Sequence, residues 1–149
     1  MTEFTSFMDI ALEEAKAAAA RGEVPVGAVI VRAGKVLARA GNRTRELTDP
    51  TAHAELLAIR AACAKIGERL PECDLYVTLE PCPMCAAAIS FARIRRLYYA
   101  ASDPKSGGLA QGPRLYSHPQ CHHKPEVYDG LQEAAASALL SQFFETRRG

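Results

Sequence analysis

Two cysteines with two residues between them, Cys82 and Cys85, flank Pro83 directly after a short apolar stretch. Proline suits the first turn of a helix, where its missing N–H would have had no partner. A helix is therefore expected to open around Pro83, with both thiols at its start, where unpaired N–H groups favour negative charge. Upstream, a second helix is expected from residue 51 or 52 to residue 66, which puts His53 in its first turn. A fold that uses all three side chains together must bring two helix starts to one place. A β-α-β layer does so over the carboxyl ends of neighbouring strands.

The rest of the chain fits such a layer. Phe4, Phe7, Met8, Ala11, Leu12 and Ala15 recur at helical spacing and predict a helix over 5–20, stopped by Gly22 and Pro25. Residues 26–31 and 36–40 read as a hairpin, with Gly34 supplying the permissive turn position. Residues 42–50 are polar and read as a loop. The stripe expected to be buried on the second helix is Ala52, Leu56, Ile59, Cys63 and Ile66. Residues 75–79 and 94–100 are apolar strands, 102–124 a long surface segment rich in Gly, Pro and His, and 126–128 a short final strand. Leu131, Ala135, Ala138, Leu139 and Phe143 mark a terminal helix. With neither repeat nor linker, 1–149 reads as a single α/β domain whose sheet mixes parallel and antiparallel pairs.

Composition narrows the function classes. The chain is 48% hydrophobic and 23% charged, which is globular and not disordered. A formal charge of +1 excludes a strongly basic tail or groove as the organising feature, although a local patch can still bind nucleic acid. No apolar run is long enough for a transmembrane span. The first nine residues carry Glu3 and Asp9 without a basic cluster and do not read as a signal peptide. Five cysteines are an odd number and too sparse for a disulfide scaffold, so a reduced, cytoplasmic protein is expected.

One imidazole and two thiolates suit zinc, and a catalytic zinc site keeps its fourth position open for water. Zinc lowers the pKa of bound water from about 15.7 toward roughly 7. Glu55 lies two residues past His53, outside its angular position on a helix, and is free to act as a proton carrier beside the open position. Attack on an amidine-like ring carbon needs a proton on the adjacent ring nitrogen and another on the departing amine. One carboxylate that first takes the water proton can deliver both.

His53-Ala54-Glu55 together with Pro81-Cys82-Pro83-Met84-Cys85 resembles the signature of the zinc-dependent nucleoside and nucleobase deaminases. Within them the chain is similar to the bacterial tRNA-specific adenosine deaminases, which convert wobble adenosine to inosine. The stretches that carry the resemblance are residues 23–29, Asn42-Arg43, residues 49–55, 75–82, 85–89, 103–108 and 143–148. The resemblance implies a three-layer α/β/α, cytidine-deaminase-like domain with a five-stranded mixed sheet. It also implies one catalytic Zn2+ per subunit on His53, Cys82 and Cys85, with Glu55 shuttling protons. Asn42 would contact the flipped purine, the backbone of Ala54 its edge, and Asp103 the ribose and phosphate. Phe143, Phe144, Arg147 and Arg148 would receive neighbouring anticodon-loop nucleotides. The implied partners are a tRNA anticodon arm, that of arginine tRNA, and a second copy of the chain in a homodimer. A free nucleobase or nucleoside deaminase, and a zinc-stabilised RNA-binding module without turnover, are the alternatives.

Other residues have plainer readings. Cys63 falls on the apolar stripe and reads as core; Cys73, beside Pro71 and Glu72, reads as a loop thiol. Cys121-His122-His123 would bind one metal only with awkward backbone geometry, and a fourth ligand would shut out the water; of the functional readings, a substrate or dimer contact stands ahead of a metal role. Arg93, Arg95 and Arg96 are either a solvated helix end and edge strand or an RNA-facing or dimer-facing patch. Phe143 and Phe144 are consecutive, so one is expected in the core and the other free to stack a base or pack on the partner.

Overall fold

The computed structural model describes residues 4–148, with side chains through Thr146. In chain order the elements are α1 (Met8–Ala20), β1 (Gly27–Arg32), β2 (Lys35–Gly41), α2 (Ala54–Ile66), β3 (Cys73–Leu79), α3 (Pro83–Phe91), β4 (Arg96–Ala101), β5 (Glu126–Tyr128) and α4 (Glu133–Arg148). A single 3-10 turn, Leu115–Ser117, interrupts the long segment before β5.

The five strands form one sheet in the order β2-β1-β3-β4-β5. β1 pairs antiparallel with both β2 and β3, while β3, β4 and β5 run parallel. The hairpin turn places Ala33 at φ 51° and Gly34 at φ 75°, the left-handed pair that matches strand twist.

Side chains alternate along most of the central strands. Ala28, Ile30, Leu75, Val77, Leu97 and Tyr99 face one core with Ala58, Ala62 and Ile89 of α2 and α3. Val29, Val31, Tyr76, Tyr98 and Ala100 face the other with Met8, Leu12 and Ala136 of α1 and α4. Two covered faces explain why these strands read as unbroken apolar runs. The result is the expected three-layer α/β/α domain with a five-stranded mixed sheet.

Several expectations need correction. The first helix begins at Met8, with Phe7 as its N-cap, so Phe4 lies outside it and packs on Tyr98 instead. Cys73 is no loop thiol: it is the first residue of β3 and fully buried, because a cysteine behaves as a small apolar side chain. On α2 the fully buried positions are Ala54, Glu55, Ala58, Ile59 and Ala62, a face rotated from the expected stripe. Alanines let the helix lie close on the sheet, and Leu56, Cys63 and Ile66 are only partly covered. On α4 the buried residue is Ala136, whereas Ala135 and Ala138 are exposed and Leu131 precedes the helix.

Candidate active site

Two helix starts meet at the carboxyl end of β3. His53 is the N-cap of α2, with extended backbone (φ −73°, ψ 152°). Cys82 is the N-cap of α3 in the same conformation (φ −69°, ψ 170°), with Pro83 behind it. Cys85 follows one turn in. The His53 imidazole Nδ1 lies 3.6 Å from Cys82 Sγ and 3.4 Å from Cys85 Sγ. All three ligand atoms fall within 4.8 Å of one another, and among the described residues no other such cluster of His, Cys, Asp or Glu occurs. One nitrogen and two sulfurs at this spacing fit a tetrahedral zinc ion that retains one non-protein position.

The electrostatics favour metal-ready ligands. Cys82 is pushed down to about 4 by the hydrogen bond it accepts from the Cys85 thiol, which outweighs its burial, with His53 adding a further bond. The same bond, together with burial, holds the Cys85 proton on. His53 is raised by its contact with Cys82 despite partial burial. As zinc ligands both thiols would be deprotonated.

Glu55 sits in the first turn of α2, only 4% exposed. Burial pushes its carboxyl up to about 7, against the pull of its own backbone N–H and of His53. A carboxyl balanced between its two forms near neutral pH suits a group that must both take and give a proton.

His53, Glu55 and Cys82 line a cavity of about 210 Å³ with Val24, Val26, Asn42, Thr44, Ala54, Leu79, Glu80, Asp103 and Ser106. That is roughly the volume of seven waters, the scale of one heterocycle. The structure thus brings His53, Ala54, Glu55, Cys82, Asn42 and Asp103 around one space, while Cys85 is fully buried beside His53 and does not line it. Asn42 is buried; its backbone N–H donates to the Val26 carbonyl at 3.0 Å and its carbonyl accepts from Arg21 at 3.1 Å. Phe143 and Phe144 do not line this cavity. Their rings meet edge to face with centroids 5.5 Å apart, Phe143 partly buried and Phe144 47% exposed. Arg147 and Arg148 end α4, with side chains outside the described residues.

Sequence reasoning missed two buried glutamates, Glu23 and Glu80, each 2% exposed. Glu23 accepts the backbone N–H groups of Arg45 (3.1 Å) and Glu46 (2.8 Å) and ties down the 43–46 loop. Glu80 directly follows the apolar strand β3, and nothing in the local sequence distinguishes it from a solvated acid. Cys121-His122-His123 forms no metal cluster; Ser90 Oγ and Cys121 Sγ donate to the His123 carbonyl at 2.6 and 3.2 Å. Arg95 and Arg96 are tied to Asp74 and Glu126.

Fold and site together define a zinc-binding deaminase. The model of the cytidine and deoxycytidylate deaminase zinc-binding region matches residues 1–101, and the chain belongs to that family. A tRNA-specific adenosine deaminase from Agrobacterium fabrum (strain C58 / ATCC 33970) is 62% identical over 149 residues, covering 99% of this chain and 98% of the relative. A solved structure from work on A-to-I editing by tRNA deaminases at the wobble position of transfer RNA superposes with a TM-score of 0.89 at 62% identity, covering 90% of this chain and 98% of that one. A guanine deaminase from Bacillus subtilis superposes with a TM-score of 0.67 at 33% identity, covering 99% and 96%. None of the described helices is long and apolar enough to cross a membrane.

Proposed function

We propose that this chain hydrolyses the wobble adenosine of a tRNA anticodon to inosine, with release of ammonia. The observation that carries the reading is Glu55, buried in a base-sized cavity directly beside three convergent metal donors. Full-length likeness to a tRNA-specific adenosine deaminase supports the choice of substrate.

His53, Cys82 and Cys85 would hold the zinc. When bound, zinc supplies a Lewis acid that makes water nucleophilic near neutral pH. Glu55 takes a proton from the attacking water as oxygen bonds to C6 of the purine, and passes it to N1. It then carries the second water-derived proton to the exocyclic nitrogen. The C6–N6 bond breaks, ammonia leaves, and inosine remains, so that adenosine plus water equals inosine plus ammonia. The Asn42 amide and the Ala54 backbone would hold the purine edge, and Asp103 the ribose side. A base in an anticodon loop is already unpaired, so little unstacking energy opposes its entry. Phe143, Phe144, Arg147 and Arg148 would receive flanking nucleotides by stacking and phosphate contact.

The reading extends to an arginine tRNA as substrate, a cytoplasmic location and a homodimer. Support for the dimer comes from Phe91, which ends α3 with 82% of its surface exposed and borders two surface cavities of about 390 and 540 Å³. With Leu56, Ile59, Ala87, Ala88 and Leu115, which line the same cavities, it makes a contiguous apolar patch of the kind a second copy covers. Light scattering over a concentration series is expected to give twice the monomer mass; a constant monomer mass overturns the dimer.

The deciding experiment offers zinc-loaded protein an anticodon hairpin of arginine tRNA with wobble adenosine, beside free adenine, guanine, adenosine and cytidine. Products are read by mass spectrometry. Inosine confined to the wobble position is the expected result. Turnover of a free base with the hairpin untouched would replace the RNA substrate with a nucleobase, the chemistry of the guanine deaminase neighbour.

A further inference from the structure

The cavity wall opposite α2 is a segment with almost no regular structure. Residues 102–111 contain turns and bends only, yet Asp103 and Ser106 from this segment face the same cavity as Glu55. One side chain gathers it. Glu80 Oε1 accepts the Ser102 hydroxyl at 3.0 Å and the Asp103 N–H at 3.1 Å. Its Oε2 accepts three consecutive backbone N–H groups, from Leu109 and Ala110 at 3.0 Å and from Gln111 at 3.1 Å.

Backbone bonds contribute less: Gly107 N–H to the Asp103 carbonyl, Gly108 N–H to Pro81, and Leu115 N–H to Gly108. Two glycines make the approach possible. A Cβ on Gly107 would collide with the Glu80 carboxylate, and one on Gly108 would meet Pro83 and Cys82 backbone atoms at 2.7 to 2.9 Å. The segment therefore lies flush on Glu80 and on the start of α3. Hydrogen bonds to a charged acceptor are about twice as strong as neutral ones, and five on one buried carboxylate hold a loop that lacks a ladder of its own.

We propose that Glu80 is a positioning residue: its carboxylate builds residues 102–111 into a rigid wall that holds Asp103 against the bound nucleotide. For the nucleotide's identity this rests on the wobble-deaminase reading. Glu80 neither binds the metal nor moves a proton. Its contribution is to keep the substrate-facing loop from sampling open conformations, and so it governs affinity for RNA more than the bond-breaking step. Glu80 is the one residue between β3 and Pro81, where an apolar side chain would leave five donors without this partner.

The test uses full-length, zinc-loaded Glu80→Gln, which keeps the shape but turns one oxygen into an amide donor facing N–H groups. Glu126→Gln, an exposed carboxylate on β5, controls for loss of charge. Hydrogen exchange is measured on 102–111, with zinc content and steady-state kinetics on the anticodon hairpin. In Glu80→Gln we expect exchange at Asp103, Leu109, Ala110 and Gln111 to accelerate about tenfold or more, with α2 and β3 unchanged and zinc retained. KM should rise by about tenfold while kcat changes by less than about threefold. Should Glu80→Gln fail to fold, Ser102→Ala deletes one of the five bonds at an exposed residue and is expected to move the same observables by about two- to threefold. Unaltered exchange in 102–111 overturns the proposal, and so does accelerated exchange with unaltered KM. If wild-type protein leaves the hairpin untouched, it is the substrate reading that has failed, and the exchange data still decide whether Glu80 builds the wall.

Discussion

Replacing Glu55 by glutamine tests the proton-carrier assignment most directly. The two side chains are nearly the same size, so the cavity is kept while the exchangeable carboxyl is lost. Four transfers depend on it: abstraction of each of the two water protons, delivery of one to N1 and delivery of the other to the leaving nitrogen. General acid–base catalysis contributes about 10²- to 10⁴-fold. The surroundings place this case at the upper end, because the neighbouring groups already have other work. Both Glu80 oxygens are taken up by five donors. Asp103 accepts the Lys105 and Ser106 N–H groups at 3.2 and 3.1 Å, and His53 belongs to the donor cluster. Glu55→Gln should therefore lower the single-turnover rate on the anticodon hairpin by about 10⁴, or about 5.5 kcal/mol at 1.36 kcal/mol per decade. Because Glu55 is not one of the three convergent donors, zinc measured by elemental analysis should stay at the wild-type level. A rate within about tenfold of wild type would refute the shuttle. Loss of zinc would refute the separation of shuttle from ligand set.

Other consequences concern stability and the RNA face. Asp49 accepts the Thr51 hydroxyl at 2.7 Å and its N–H at 2.9 Å just before α2, and those bonds hold its carboxyl below the ordinary value of 3.8. A depressed carboxylate contributes stability that is present above the unfolded-state value and lost as pH falls through the folded one. The melting-temperature gap between wild type and Asp49→Ala should accordingly be constant at neutral pH and close below 3.8; a gap independent of pH refutes the assignment. Gly27→Ala would drive a methyl group into the Ala11 carbonyl and the Ala15 nitrogen of α1, and should cost about 1–3 kcal/mol in urea unfolding; an unchanged midpoint would show that α1 lifts freely. Deleting residues 144–149 removes an exposed phenylalanine and two arginines, and should raise KM for the hairpin with little change in melting temperature. Unaltered kinetics would separate the end of α4 from RNA.

Much of this architecture was legible because local rules and tertiary demands agree. Pro83 marks a helix start whatever packs around it, and Cys82 and Cys85 then fall at one helix end. Alternation along β1, β3 and β4 was hidden under runs apolar on both faces, yet the runs themselves identified strands. Errors arose where burial depended on a partner element. The α2 face turned because alanines, not larger residues, set the distance to the sheet. Cys73 looked like a loop thiol beside Pro71 and Glu72, but β3 begins there, pairs with Arg32 and covers it.

What the sequence determined by itself was the chemistry available: one imidazole, two thiols and a carboxyl, at spacings that place each at or near the start of a helix. Periodicity and helix-start signals act over a few residues, so they survive without knowledge of the fold. Only the tertiary structure decided where those helix starts meet, how deeply Glu55 is buried and therefore how far its carboxyl is shifted. It alone revealed that Glu23 and Glu80, unremarkable acids in the chain, hold the two loops beside the cavity. A carboxylate is worth that much only when water is excluded and several N–H groups converge on it, and those groups come from segments more than twenty residues away.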